Sequence, residues 1–329
     1  MRRSRWMPVI ALGGLLVADM AACDSSPSEP TAQPPALNAP PHGDFVLTGR
    51  VVGTVTGEPI AGATVSVGSD TFVTDLDGAF SITHTSADTK EISISGEGVV
   101  PRVSQLSLGD RDVTIDVIQD RPPFELGFFR ELGRNSLEST TGLEPLRPIV
   151  TAPHIYIRTV DEAGQHMDAV LLDLVETALR DAAPLWSADR HPLEVIERGP
   201  HTRLGQSGWV TVIFPGEVVT GGCGKATLGS TTGRMELNYL NSGCACGGNL
   251  IAPRTVRHEL GHVYGFWHTT VRGGVMSRSW TTRQCNGRPS TREIEHAKYM
   301  YSRTPGNVDP DTDTAGRLLR HPGEIVVED

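Results

Sequence analysis

The chain lacks an excess of basic residues: 29 Lys and Arg stand against 39 Asp and Glu, for a net charge of -10. No long basic run follows the first few residues, so the cationic stripe that binds phosphates is missing and nucleic acid is excluded as a partner. Also absent is an apolar run that could span a bilayer, because residues 7–18 fall short of the roughly 20 that a membrane helix requires. Cysteine is scarce, five in 329 residues, and no C-x-x-C pair occurs. That spacing disfavours an all-cysteine metal site, which would need such pairs to grip the ion. No cysteine-bearing propeptide that could cap a metal is present either.

What stands at the start is informative. Arg2, Arg3 and Arg5 precede the apolar stretch and Met20-Ala21-Ala22-Cys23 closes it, so residues 1–23 read as a secretory signal peptide. The closing tetrapeptide resembles the bacterial lipobox, which implies lipidation of Cys23 and a membrane anchor on the extracytoplasmic side. Plain cleavage, leaving Cys23 unmodified, is the alternative. Residues 24–43 are rich in Pro, Ser and Ala with little to bury, as suits a flexible tether. The remaining Cys223, Cys244, Cys246 and Cys285 are even in number in an exported chain, which predicts two disulfides of open connectivity.

Residues 45–119 alternate apolar and polar side chains in short runs separated by turn chemistry, at 46–52, 63–67, 71–74, 79–82, 91–94 and 112–117. A small all-β sandwich of transthyretin or Ig-like type follows. Within it, Gly49-Arg50-Val51, Gly57-Glu58-Pro59-Ile60-Ala61-Gly62-Ala63-Thr64-Val65 and Thr74-Asp75-Leu76-Asp77-Gly78-Ala79-Phe80 resemble the carboxypeptidase regulatory-like domains. Asp75 and Asp77 are read as a hairpin turn rather than a calcium site, because Asp77-Gly78 sits between two apolar runs. Calcium stays a second, unsupported cofactor reading.

The chemistry lies further on, in His258-Glu259-Leu260-Gly261-His262-Val263-Tyr264-Gly265-Phe266-Trp267-His268. On a helix, i and i+4 share a face, so His258 and His262 can point at one metal while Glu259 stands beside the metal's water. Gly265 ends the helix, since that place favours a left-handed conformation, and the turn brings His268 back as a third ligand. Three protein ligands leave a fourth position open, the mark of a catalytic zinc. A bare H-E-x-x-H arises by chance in roughly 2% of chains of this length, and the added glycine and histidine lower that to about one in ten thousand. The plainer reading, an amphipathic helix with Val256, Leu260 and Val263 on a core, is compatible with a metal on its other face.

Eight residues after His268 comes Met276, in Gly273-Gly274-Val275-Met276-Ser277. Here the chain resembles the metzincin metallopeptidases, with a matrixin-like gap between the third histidine and the methionine. The resemblance implies that Met276 floors the three imidazoles and that Thr291-Arg292-Glu293-Ile294-Glu295-His296-Ala297-Lys298-Tyr299-Met300-Tyr301 is a closing helix. Arg278 stands where some members carry a tyrosine, so no fifth ligand is expected there. It further implies that residues 120–304 form a mixed-sheet zinc peptidase domain, making the whole an α+β protein. The periodicity predicts strands at 155–160, 193–196, 209–214 and 234–239 and a helix over 168–186. By the same resemblance, 235–239 would be the exposed edge that captures a peptide in extended form, the alternative being an ordinary covered strand. After Tyr301 the composition turns to Pro, Gly and Asp, and 305–329, including Asp309-Pro310-Asp311-Thr312-Asp313, reads as a flexible, solvated tail.

These readings converge on an exported zinc endopeptidase that cleaves protein or peptide substrates. Zinc would activate a water near neutral pH and Glu259 would take its proton. Two rivals use the same residues differently: a tethered binding or adhesion lipoprotein with a non-catalytic zinc, and a zinc amidase.

Overall fold

A computed structural model describes residues 45–84, 91–106, 111–219, 222–278, 284–314 and 325–328. The leader, Cys23 and the 24–43 tether lie outside the described residues. All described residues belong to one unit, His42–Asp329, which holds two main apolar cores.

The first core forms because alternating side chains give each strand one dry face. The strands are β1 (Phe45–Gly53), β2 (Thr64–Val67), β3 (Asp70–Val73), β4 (Ala79–His84), β5 (Glu91–Ser95), β6 (Arg102–Gln105) and β7 (Asp112–Val117). They make two sheets, β4-β1-β7 and β3-β2-β5-β6. Leu47, Val51, Phe80, Ile82 and Ile115 from the first sheet meet Val65, Val67, Ile92 and Ile94 from the second. Two details differ from expectation. β6 was not foreseen, since Arg102-Val103-Ser104-Gln105 carries a single aliphatic residue at a sheet edge. The Asp75–Gly78 turn is no hairpin: β3 pairs with β2 and β4 with β1, so it carries the chain from one sheet to the other. The Asp75 carboxylate is used in closing that turn, accepting from the Asp77 and Ala79 amides at 2.9 and 2.8 Å.

The second core lies between a six-stranded mixed sheet and four helices. Its strands are β8 (His154–Arg158), β9 (Ile196–Gly199), β10 (Trp209–Ile213), β11 (Gly224–Thr227), β12 (Gly233–Leu237) and β13 (Val326–Glu328), in the order β13-β11-β12-β10-β8-β9. β9, β8, β10 and β12 run parallel, whereas β11 is antiparallel to both of its neighbours. The helices are α1 (Leu126–Arg134), α2 (Ala169–Trp186), α3 (Pro253–Val263) and α4 (Thr291–Tyr301). α2 starts where Asp168 accepts from the Val170 amide and buries Leu171, Leu172, Val175, Ala178, Leu179 and Ala182. Such a stripe at i, i+3, i+4 and i+7 is what fixes its roll against the sheet. α1 was not foreseen; its Phe128, Phe129 and Leu132 enter the core.

The expected edge strand is corrected. β12, in the place of 235–239, lies between β10 and β11, with Met235 and Leu237 fully buried. The described start of the tail, 305–314, is corrected as well. Asp311 is buried and pairs with Arg303 at 2.7 Å and Arg102 at 3.0 Å, while Asp309 binds Arg130 at 2.8 Å. These acids read as solvated because Arg102 and Arg130 lie far away in sequence and nothing in the sequence marks the nearer Arg303 as buried. Arg102 sits on β6, and Arg303 also pairs with Asp116 of β7, so this network joins the sandwich to the second core.

Candidate metal centre

α3 begins with Pro253 at its first turn, where a missing N–H costs nothing, and every residue from Pro253 to Val263 is buried. Its end is a Schellman turn: Phe266 N–H donates to the Gly261 carbonyl at 3.0 Å and Gly265 N–H to that of His262 at 2.8 Å. Gly265 has φ of 96°, and a Cβ there would lie 2.2 Å from the Arg147 carbonyl oxygen. Only glycine fits on both counts.

The turn returns His268 toward His258 and His262. The three rings have centroid separations of 4.7, 4.8 and 5.2 Å, and one ligand nitrogen from each lies within 4.8 Å of the others. All three side chains are buried. Each Nδ1 has a partner: His258 donates to the Val275 carbonyl at 2.6 Å, His262 to the Phe266 carbonyl at 2.7 Å, and His268 meets the Glu138 carboxylate at 2.9 Å. A carbonyl or carboxylate oxygen only accepts, so these bonds place the ring hydrogens on Nδ1 and turn the Nε2 lone pairs inward. Nε2 of His258 and His262 approach to 3.0 Å, a separation that two lone pairs tolerate when a cation lies between them. The donor set therefore fits a metal ion, and the outer hydrogen bonds are of the kind that orient metal-bound histidines.

Glu259 is fully buried on the same helix. β11 passes so close that a Cβ on Gly224 would stand 2.5 Å from Glu259 Oε1. Met276 lies across the helix from this strand, where a Cβ on Gly261 would meet its sulfur at 2.4 Å. Thus Gly261, between the two helical histidines, admits the methionine turn beneath them.

That turn is gripped from both polarities. The Glu293 carboxylate of α4 accepts from the Met276 amide at 2.7 Å and the Val275 amide at 3.1 Å. From α3, Arg254 donates to the carbonyls of Gly274, Val275 and Ser277 at 3.1, 2.9 and 2.6 Å. Glu293 also closes the capping box with Ser290 at the start of α4. Neither residue was singled out as part of the site from the sequence, although Ser-x-x-Glu before a helix was a readable signal. Glu138 carried no signal at all.

The cysteines form two disulfides, Cys223–Cys244 and Cys246–Cys285. They point to an oxidising, extracytoplasmic environment. No helix among the described residues is long and apolar enough to cross a membrane.

Comparison with known proteins bears on the sandwich. Residues 46–119 form a carboxypeptidase regulatory-like domain. That domain ends before α1, so the match does not reach the histidines. No curated protein matches the chain. Two solved structures of a type II cohesin–X–dockerin complex from Acetivibrio cellulolyticus, an N-terminal and a C-terminal interface mutant, each share 26% identity over 22% of this chain. The matches span 55% and 51% of those chains, with TM-scores of 0.19 and 0.18.

Proposed function

We propose that this protein is a zinc-dependent endopeptidase of metzincin type, acting on extracytoplasmic proteins and held at a membrane through a lipidated Cys23. The single observation that carries the reading is the convergence of three Nδ1-anchored imidazoles beside a buried glutamate. Three neutral imidazoles with a further position open suit a catalytic zinc. When bound, zinc supplies Lewis acidity toward water and toward the scissile carbonyl.

The protein's own groups do the rest. His258, His262 and His268 hold the ion, while the Val275 and Phe266 carbonyls and Glu138 keep the rings from rotating. Glu259 takes the proton of the attacking water on a carboxylate oxygen and delivers it to the leaving amine nitrogen, restoring the carboxylate.

Glu259→Gln should lower kcat/KM on a casein-derived peptide by about 10²- to 10⁴-fold while zinc content, measured by atomic emission, stays at wild-type level. Chelation should abolish wild-type turnover and added zinc should restore it. A zinc-loaded wild type that cleaves no peptide bond would sink the proposal and favour the tethered binding lipoprotein, or the amidase if peptidoglycan amides are cut instead.

A further inference from the structure

The edge of the sheet beside the metal centre already has an occupant. β11 pairs with β12 on one side and with β13 on the other, in the register Lys225↔Glu328, Ala226↔Val327 and Thr227↔Val326. The Leu228 amide extends this ladder, donating to the Ile325 carbonyl at 2.8 Å. β11 itself runs along α3. Gly224 touches Glu259 at one end, and just past the other end the Gly229 amide donates to the His262 carbonyl at 2.9 Å. A strand added to β11 is therefore stretched out alongside the cluster, running antiparallel from the His262 level toward Glu259.

Side chains give this pairing a preference. Val327, Leu228 and Trp267 are each almost fully buried and form a small apolar cluster of their own, with Ile325 against it, apart from both main cores. Trp267 directly precedes His268. An aliphatic residue at the place of Val327 thus sits in a pocket one residue away from a cluster histidine.

We infer that the segment Ile325–Glu328 is an intramolecular competitor seated on the outer edge of β11, where an extended substrate would pair on the peptidase reading, and that the Val327 place selects an aliphatic side chain. Neighbouring strands lie about 4.8 Å apart, so the edge has room for one strand at a time. A tethered strand competes at an effective concentration on the order of millimolar, enough to mask the edge from dilute peptides. As a statement about regulation it rests on the peptidase reading; as a statement about binding it does not.

The test uses the full chain carrying Glu259→Gln, to prevent cleavage, and a fluorescein-labelled peptide Gly-Glu-Ile-Val-Val-Glu followed by fluorescence anisotropy. Adding Val327→Asp, which puts a charge where the strand buries an aliphatic group, should tighten peptide binding at least tenfold. Val327→Ala should shift it in the same direction by less, which keeps the test available if the aspartate variant misfolds. A peptide with Asp at the second valine should not compete. Equal affinity across the folded variants, or no binding to any, overturns the inference. The two readings separate cleanly: tighter binding without hydrolysis by Val327→Asp on the Glu259 background would leave the edge site and remove the peptidase, whereas unchanged binding with brisk casein cleavage would do the reverse.

Discussion

At the scale of single residues, the site depends on side chains that touch the histidines from far along the chain. The trio and Glu259 were legible because their geometry is local, set by helical spacing and one glycine turn. Glu138 was not, since it reaches His268 Nδ1 across 130 positions of sequence. It is a positioning residue, and it also pairs with the half-exposed Arg278 at 3.1 Å. Removing an outer hydrogen bond of this kind weakens metal binding by about 10- to 100-fold. Glu138→Ala should show that loss in competition with a chromophoric chelator, and Glu138→Gln, which keeps an acceptor oxygen, should recover part of it. If Glu138→Ala holds zinc as tightly as wild type, the orienting role is wrong.

At the scale of elements, α2 and α3 followed from periodic apolar stripes and β8, β10 and β12 from short apolar runs, whereas α4 came from the resemblance, α1 was missed, and β9 (Ile196–Gly199) begins where the expected strand 193–196 ends. β11 and the edge strand β13 did not follow from such runs. Gly224-Lys225-Ala226-Thr227 has no alternation, and β13 is only three residues long; both exist because a neighbour supplies the ladder. The strand expected at the edge, 235–239, accordingly lies inside the sheet, covered by β11. Helix ends were better marked. Gly265 combines a positive φ with close approach to the Arg147 carbonyl, so Gly265→Ala should cost about 1–3 kcal/mol in urea unfolding and should release zinc more readily, because His268 hangs on that turn. Wild-type stability and zinc retention in this variant would show that the turn tolerates a side chain.

At the scale of the whole molecule, the regulatory-like sandwich is not loosely strung. Arg303 is buried where it meets Asp311 and Asp116, and Arg102 adds Asp311 and Asp313. This junction was invisible in the sequence because its partners are some two hundred positions apart. Breaking a buried pair leaves an uncompensated charge, so Arg303→Met should cost about 3–5 kcal/mol at neutral pH. Burial raises the Asp116 carboxyl, but Arg303 and the Thr54 hydroxyl outweigh it and hold the group below its usual value of 3.8. A carboxylate depressed in the folded state contributes stability above 3.8 and loses it as pH falls through the folded value. The gap between wild type and Arg303→Met should therefore narrow on acidification below about 3.8, and a gap independent of pH would argue against the pair.

The disulfides carry a consequence for when the metal cradle can exist. The amides of Ala252 and Arg254, which open α3, donate to the carbonyls of Cys244 and Cys285, and Cys223 immediately precedes the glycine against Glu259. Each bond thus braces backbone from which the histidine helix springs. In a reducing cytoplasm those braces would be missing, so the cradle would be fully braced only in an oxidising compartment.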